Sequence, residues 1–310
     1  MNELDLIALL TRSLPANPSV VAGAGDDCAV LDCGAPGRFL LFKTDAVVSG
    51  IHFTAQAAPE QIGHKALARC LSDIAAMAGT PLAALVTLAL PRKFQPRFIE
   101  RVYAGMNRLA QRCGVAIVGG ETTTNPGRLL ISIALLGEVD QDKCIRRGGA
   151  MDGDALWVTG ELGGSLAGKH LDFEPRLAEA RWLAANFPIH AMIDLSDGLA
   201  GDLRHILKAG GVGAELLKTA VPVSRAAKLQ ARTSARTKPA FTAALTDGED
   251  FELLFTIAGG DAVKLLDAWK REFPELKLSC IGKIVAGGGV TIRDKNGART
   301  LNEHGYVHFT

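Results

Sequence analysis

Carboxylates recur in this chain where apolar runs meet turns: GDD at Gly25–Asp27, KTD at Lys43–Asp45, SD at Ser72–Asp73, GGETT at Gly119–Thr123, DLSDG at Asp194–Gly198 and DGED at Asp247–Asp250. A hard divalent cation, Mg²⁺ above all, takes oxygen ligands and is commonly shared between a few carboxylates and substrate phosphates. Clusters from distant parts of the chain could therefore assemble a multi-metal site. Asp, Ser, Thr and Gly also cap helices and form turns, and for any single cluster that plainer reading stands beside the metal.

The stretch MIDLSDGLAGDL, Met192–Leu203, is the sharpest case. An apolar run ends in Asp194, and Asp197 follows where a helix is expected to begin. Ser196 fits an N-cap, with Leu199, Leu203, Ile206 and Leu207 at helical spacing behind it. A helix N-terminus also favours the charge of Asp197. Asp194 has no such account, because a carboxylate closing an apolar strand is costly unless it is paired, hydrogen-bonded or metal-bound.

Two nucleotide-binding patterns fall short. GGSLAGKH, Gly163–His170, matches G-x-x-x-x-G-K but carries His170 where a P-loop places its Mg²⁺-holding hydroxyl. GAGDDC, Gly23–Cys28, opens like a dinucleotide fingerprint and closes on Cys28 instead of glycine. Arg69 and Asp73, four apart, read as a surface helical pair. Lys65 reads as a solvated charge, and His304 with His308 lacks the further ligand that zinc needs.

These residues need elements to hold them. A chain of 310 residues favours two domains, and the cluster of Gly and charge at Arg146–Asp154 marks the boundary. Periodicity predicts a short N-terminal helix through Ile7 and Ala8, strands at 28–31 and 39–43, and a helix over 60–77. In that helix Leu67, Leu71, Ile74 and Ala78 line one face, which turns Asp73 away from the apolar stripe. A strand at 82–90, a helix at 97–113 and strands at 115–118 and 129–139 complete the first half. The second half is expected to hold strands at 155–159 and 251–257, helices at 175–185 and 262–273, and the strand and helix around Asp194.

Composition removes several function classes. Lys plus Arg total 34 against 33 Asp plus Glu, so no global basic field draws nucleic acid or an anionic membrane. The longest uncharged run, Ile74–Leu90, is broken by Gly79, Thr80 and Pro81, which fits a helix end and a buried strand instead of a membrane span. Six cysteines without a CxxC pair read as reduced thiols, and the acidic start MNELDLIALL does not indicate export, so a cytoplasmic protein is expected.

Read in order, GDDCAVL, KTDAVVSGIHF, IGHKALARCLSDIAAMAGTPLAALVTLALP, GGETTT, GDALWVTGELG, IDLSDGLAGDL, DGEDFELLFT, IGKI and GYVHF resemble the thiamine-monophosphate kinases. That family belongs to the superfamily of aminoimidazole ribonucleotide synthetase, selenophosphate synthetase and a hydrogenase-maturation protein. The resemblance implies an α+β fold of two domains: residues 1–146 as an ATP- and Mg²⁺-binding, dimerising domain with a mixed sheet and helices, and residues 147–310 as an α/β sandwich completing the nucleotide and substrate site. It implies direct transfer of the ATP γ-phosphoryl group onto thiamine monophosphate, with Mg²⁺, in a homodimer.

Carried over by motif, Asp27, Thr44, Asp45, Asp73, Glu121, Asp194 and Asp197 are implied metal positions. Tyr103, Gly120, Glu121, Arg147 and Ser196 are implied nucleotide contacts, and His52, Glu249 and Tyr306 implied contacts to thiamine phosphate. Asp73, Asp197 and Arg147 are the implied catalytic groups. Glu121 stands where the family has Asp, Cys70 where it commonly has Asn, and the segment between Gly164 and Asp194 is short for the family. A related ATP-using enzyme with another small phosphate or carboxylate acceptor, and a catalytically silent nucleotide-binding relative, are the alternatives.

Overall fold

The structure, a computed structural model, describes residues 3–233 and 238–306. His308 and most of the terminal GYVHF motif lie outside the described residues. The chain forms two units, one of Ser19–Cys144 with Gly168–Ala178 and one of Met1–Pro18, Ile145–Ala167 and Glu179–Thr310. Helix α1 (Glu3–Thr11) groups with the latter, here called the second unit.

The first unit is a six-stranded sheet backed by helices. Its strands are β1 (Val20–Ala22), β2 (Ala29–Leu31), β3 (Arg38–Val48), β4 (Thr80–Leu90), β5 (Ala116–Thr124) and β6 (Leu130–Asp140), in the order β1-β2-β3-β6-β4-β5. All neighbours run antiparallel except the parallel pair β4 and β5. Helices α2 (Pro59–Ala76) and α3 (Pro96–Cys113) pack on each other, and α2 also lies on β3, β6 and β4. A short helix α4 (Lys169–Asp172) packs against α2 as well.

This crowding overturns one expectation. The apolar register turns Asp73 outward, yet α2 is covered from several sides and Asp73 is buried, as is Lys65, at 0% exposure. The α2–α3 crossing is close enough to require glycine on both helices. A Cβ on Gly63 would stand 1.8 Å from the Val102 carbonyl oxygen, and one on Gly105 1.9 Å from that of Glu60. Backbone cannot yield as a flexible side chain does, so Gly105→Ala is expected to cost about 3 kcal/mol, read from urea unfolding. A loss below about 1 kcal/mol would show that the helices separate at little cost.

The second unit is built on a seven-stranded sheet of β7 (Asp154–Thr159), β8 (Ile189–Asp194), β9 (Gly213–Leu217), β10 (Leu253–Ala258), β11 (Leu278–Val285), β12 (Val290–Asp294) and β13 (Gly297–Thr300). The order is β13-β12-β9-β11-β7-β10-β8, antiparallel except between β12 and β9. Its helices are α5 (Leu177–Asn186), α6 (Leu199–Gly210), α7 (Arg225–Thr233), α8 (Ala240–Thr246) and α9 (Ala262–Glu272). Leu199, Leu203, Ile206 and Leu207 of α6 enter one apolar core with Leu156 and Val158 of β7 and Ile193 of β8. That packing fixes the end of β8 and the start of α6, where Asp194 and Asp197 sit.

Candidate active site

In the first unit the charged groups gather where β3 runs against α2. Side chains alternate along a strand, so Lys43 and Asp45 meet α2, whereas the exposed Thr44 places its hydroxyl on the other face, 3.5 Å from that of Ser132. Lys43 Nζ donates to Asp73 at 2.8 Å. Arg69 clamps Asp45 with Nε at 2.9 Å and a terminal nitrogen at 3.2 Å. Both ends of the expected helical pair Arg69 and Asp73 are thus engaged by β3, a reach that local spacing does not encode.

Burial pushes the Asp45 carboxyl up, but the charges of Arg69 and Lys43 outweigh it and hold Asp45 below the usual carboxylate range. Burial likewise pulls Lys43 down, and Asp73 and Asp45 more than offset it, so Lys43 stays charged. Asp27, in the turn ahead of β2, is buried and offers an oxygen within 4.8 Å of one from Asp73. Two buried carboxylates so close repel, and the Lys43 ammonium on Asp73 offsets part of that charge. The donor set is anionic and all oxygen, which fits Mg²⁺ and disfavours softer metals.

His52 lies beyond β3, where the Val48 N–H donates to its Nδ1 at 3.0 Å. That bond assigns the neutral ring its proton at Nε2. Lys65, expected to be solvated, donates from Nζ to the His52 carbonyl at 2.6 Å. A buried ammonium on a carbonyl pins the His52 loop, a role that no local pattern announces.

Strand β5 carries Gly120 and Glu121 at the sheet edge. A Cβ on Gly120 would stand 1.8 Å from the Val86 carbonyl oxygen, so only glycine lets β5 pair with β4 there. Val118 is the extra residue of a bulge between the pairs Ile117–Ala84 and Gly119–Leu85. Glu121 is exposed and accepts the Thr122 N–H at 3.1 Å. Tyr103, half-buried on α3, has its phenol pushed up by burial.

In the second unit the structure brings Asp194, Ser196, Asp197, Glu249 and Tyr306 to one end of the sheet. The Glu249 N–H donates to the Ser196 carbonyl at 2.7 Å, and the Tyr306 N–H to that of Asp197 at 2.8 Å. Ser196 is not the N-cap: Gly198 takes that position, at φ 100°, and α6 starts at Leu199. The helix has no side-chain cap; instead Asp202, buried in the first turn of α6, reaches back to accept the Asp197 N–H of the preceding turn at 3.0 Å. Burial, then Asp197 and Asp194, push the Asp202 carboxyl well up, while Arg147 pulls it down. Asp202 is a site residue that the sequence reading passed over, although it stands inside the quoted motif.

Glu249 and Phe251 sit at φ 54° and 50°, a left-handed backbone that side chains resist. The Phe251 N–H donates to the Leu195 carbonyl at 2.8 Å and Ser165 Oγ to that of Glu249 at 2.6 Å, so hydrogen bonds over-determine the loop. The same loop disposes of the P-loop pattern. The Gly163 N–H donates to Asp250 at 2.9 Å and the Gly164 N–H to Asp247 at 3.1 Å, so carboxylates occupy the amides that would cradle phosphate.

Two sheet-and-helix units, each with one parallel strand pair in an otherwise antiparallel sheet and each carrying buried carboxylates, define the class of AIR synthase related proteins. Residues 25–139 match the AIR synthase related protein, N-terminal domain, and residues 147–295 the corresponding C-terminal domain. The thiamine-monophosphate kinase of Rhodopirellula baltica is 41% identical over 93% of this chain and 91% of its own length, and that of Bacillus subtilis 32% identical over 100% of both. The solved structure of AaThiL complexed with AMPPCP and TMP is similar at a TM-score of 0.84 and 29% identity, covering 99% of this chain and 97% of that one. The chain belongs to the thiamine-monophosphate kinase family.

Proposed function

We propose that this chain transfers the γ-phosphoryl group of ATP onto the phosphate of thiamine monophosphate, giving thiamine diphosphate and ADP. What carries the reading is likeness over nearly the whole chain to AaThiL, solved with AMPPCP and TMP. Phosphoryl transfer asks little covalent work of the protein and depends on positioning and charge neutralisation. The buried pair Asp27 and Asp73 beside Lys43 supports that chemistry in the first unit.

Asp27 and Asp73 would hold Mg²⁺ in the first unit, Asp194 and Asp197 are assigned Mg²⁺ in the second, and bound Mg²⁺ would offset the charge of the phosphates. Asp45 has both oxygens engaged by Arg69 and the Thr44 hydroxyl faces away, so these two, like Glu121, are assigned weaker parts. Tyr103, Gly120, Glu121, Arg147 and Ser196 are assigned to the nucleotide, with Arg147 neutralising phosphate. His52, Glu249 and Tyr306 are assigned to thiamine phosphate, the Tyr306 ring being suited to the cationic ring system. The accepting phosphate oxygen is already anionic, so no general base is required.

Residues 1–146 are proposed to bind ATP and Mg²⁺ and to dimerise, and residues 147–310 to complete the nucleotide and substrate sites. The exposed edge strand β5 supports the homodimer. No described helix is long and apolar enough to cross a membrane, and a cytoplasmic place is proposed from the reduced character of the cysteines.

Purified protein with Mg²⁺, ATP and thiamine monophosphate should yield thiamine diphosphate and ADP in equal amounts by chromatography. Folded protein that forms neither product would overturn the proposal. ADP formed only with another acceptor would point to the related enzyme.

A further inference from the structure

The second unit holds a cavity of about 700 Å³ that none of the candidate active-site residues lines. Its walls come from the segment after β9, from α7 and α8, from the start of β11 and from the β12–β13 turn. Four lysines face it, Lys218, Lys228, Lys277 and Lys295, against the single carboxylate of Asp294. Asp294 is already engaged, accepting from Lys218 Nζ at 3.4 Å and from the Asn296 N–H at 2.8 Å. Among the described residues no ion-pair partner is seen for Lys228, Lys277 or Lys295.

The whole chain carries a net charge of only +1, so a surplus of three positive charges around one cavity is a local concentration. Anions are attracted to such a concave, one-signed lining. The lining is not uniformly polar. Phe241 forms part of the wall with the Lys218 ammonium 5.5 Å from its ring centre, and Val221 and Pro222 extend the apolar surface. The volume falls within the roughly 300–1,000 Å³ of small-molecule sites and exceeds what a lone phosphate fills.

We propose that this cavity binds a small phosphorylated aromatic molecule, its phosphate held by the lysines and its ring against Phe241. The site is independent of the phosphoryl-transfer reading and stands or falls without it.

Pyridoxal 5′-phosphate tests it directly on the full-length protein. Its aldehyde condenses with a lysine amine with loss of water, and borohydride reduces the resulting C=N bond, fixing a label that peptide mapping locates. At low probe concentration, label should concentrate on the four cavity lysines, and inorganic pyrophosphate should suppress it there. ADP should protect at lower concentration than pyrophosphate, because its ring adds contact with Phe241. The variant Lys228→Gln/Lys277→Gln should lower labelling of Lys218 and Lys295 by about tenfold while leaving phosphoryl transfer unchanged. Label spread over exposed lysines such as Lys93 and Lys264 without protection would overturn the site, and equal protection by pyrophosphate and ADP would overturn its aromatic half.

Discussion

Asp73→Asn is expected to lower turnover of thiamine monophosphate by about a thousandfold, the scale of losing one preorganised electrostatic group. The amide keeps the shape of Asp73 and loses its charge, and the pair it forms with Asp27 then presents one anion where two stood. Stability should move far less. The variant breaks the 2.8 Å contact with Lys43, but Asp45 and Asp27 remain close enough to hold that ammonium charged. Removing one of two neighbouring carboxylates also relieves their repulsion, so the metal-free variant should lose no more than about 1 kcal/mol. The decisive readout is Mg²⁺ itself: the ion should raise the melting temperature of the parent protein and leave that of the variant almost unmoved. A variant that unfolds several degrees lower without metal, yet keeps its response to Mg²⁺, would make Asp73 a structural partner of Lys43 and nothing more.

Asp73 also shows what a linear reading can and cannot reach. The apolar spacing of Leu67, Leu71 and Ile74 marks α2 correctly, because burial of one face is a local periodic signal. Burial of the face that carries Asp73 and Lys65 is not local, since it depends on which other elements arrive there: for Asp73 it is Lys43 of β3, and for Lys65 the His52 loop that follows β3. Asp73 and Lys65 were therefore misplaced as solvent-facing, and the partners of Lys43, Arg69 and Lys65 could not be named from spacing. Strand β5 was expected over 115–118, yet it runs to Thr124, through two glycines and a glutamate, residue types depleted in strands. Its parallel pairing with β4 supplies what propensity lacks. In the second unit, Asp194 was correctly singled out as a carboxylate that capping does not explain, whereas the cap itself was misassigned to Ser196. That position is Gly198, which has no side chain to cap with, and Asp202 reaches back from the first turn to hold the Asp197 N–H of the turn before it.

Val118→Arg is expected to convert the proposed homodimer into a monomer and to remove activity with it. Strand β5 ends the first unit's sheet, and none of its nine residues is buried in the single chain. Such an edge offers unpaired backbone groups, and proteins cover or blunt it. This edge is not blunted by lysine or proline; the bulge presents Val118 at 63% exposure, next to Leu85 at 49%, an apolar pair that calls for a cover. In a two-fold dimer each surface meets its own copy, so one arginine per chain places two like charges into the same interface. Light scattering on the parent protein should give about twice 32.7 kDa, and on the variant the monomer mass. Because Gly120 and Glu121 share the strand, phosphoryl transfer should fall with dimer content and recover in mixtures only as far as dimers re-form. Val263→Arg, on a still more exposed valine of α9 in the second unit, should change neither mass nor turnover. A parent protein that is monomeric at full activity, or a Val118→Arg variant that remains dimeric and active, would remove β5 from the interface.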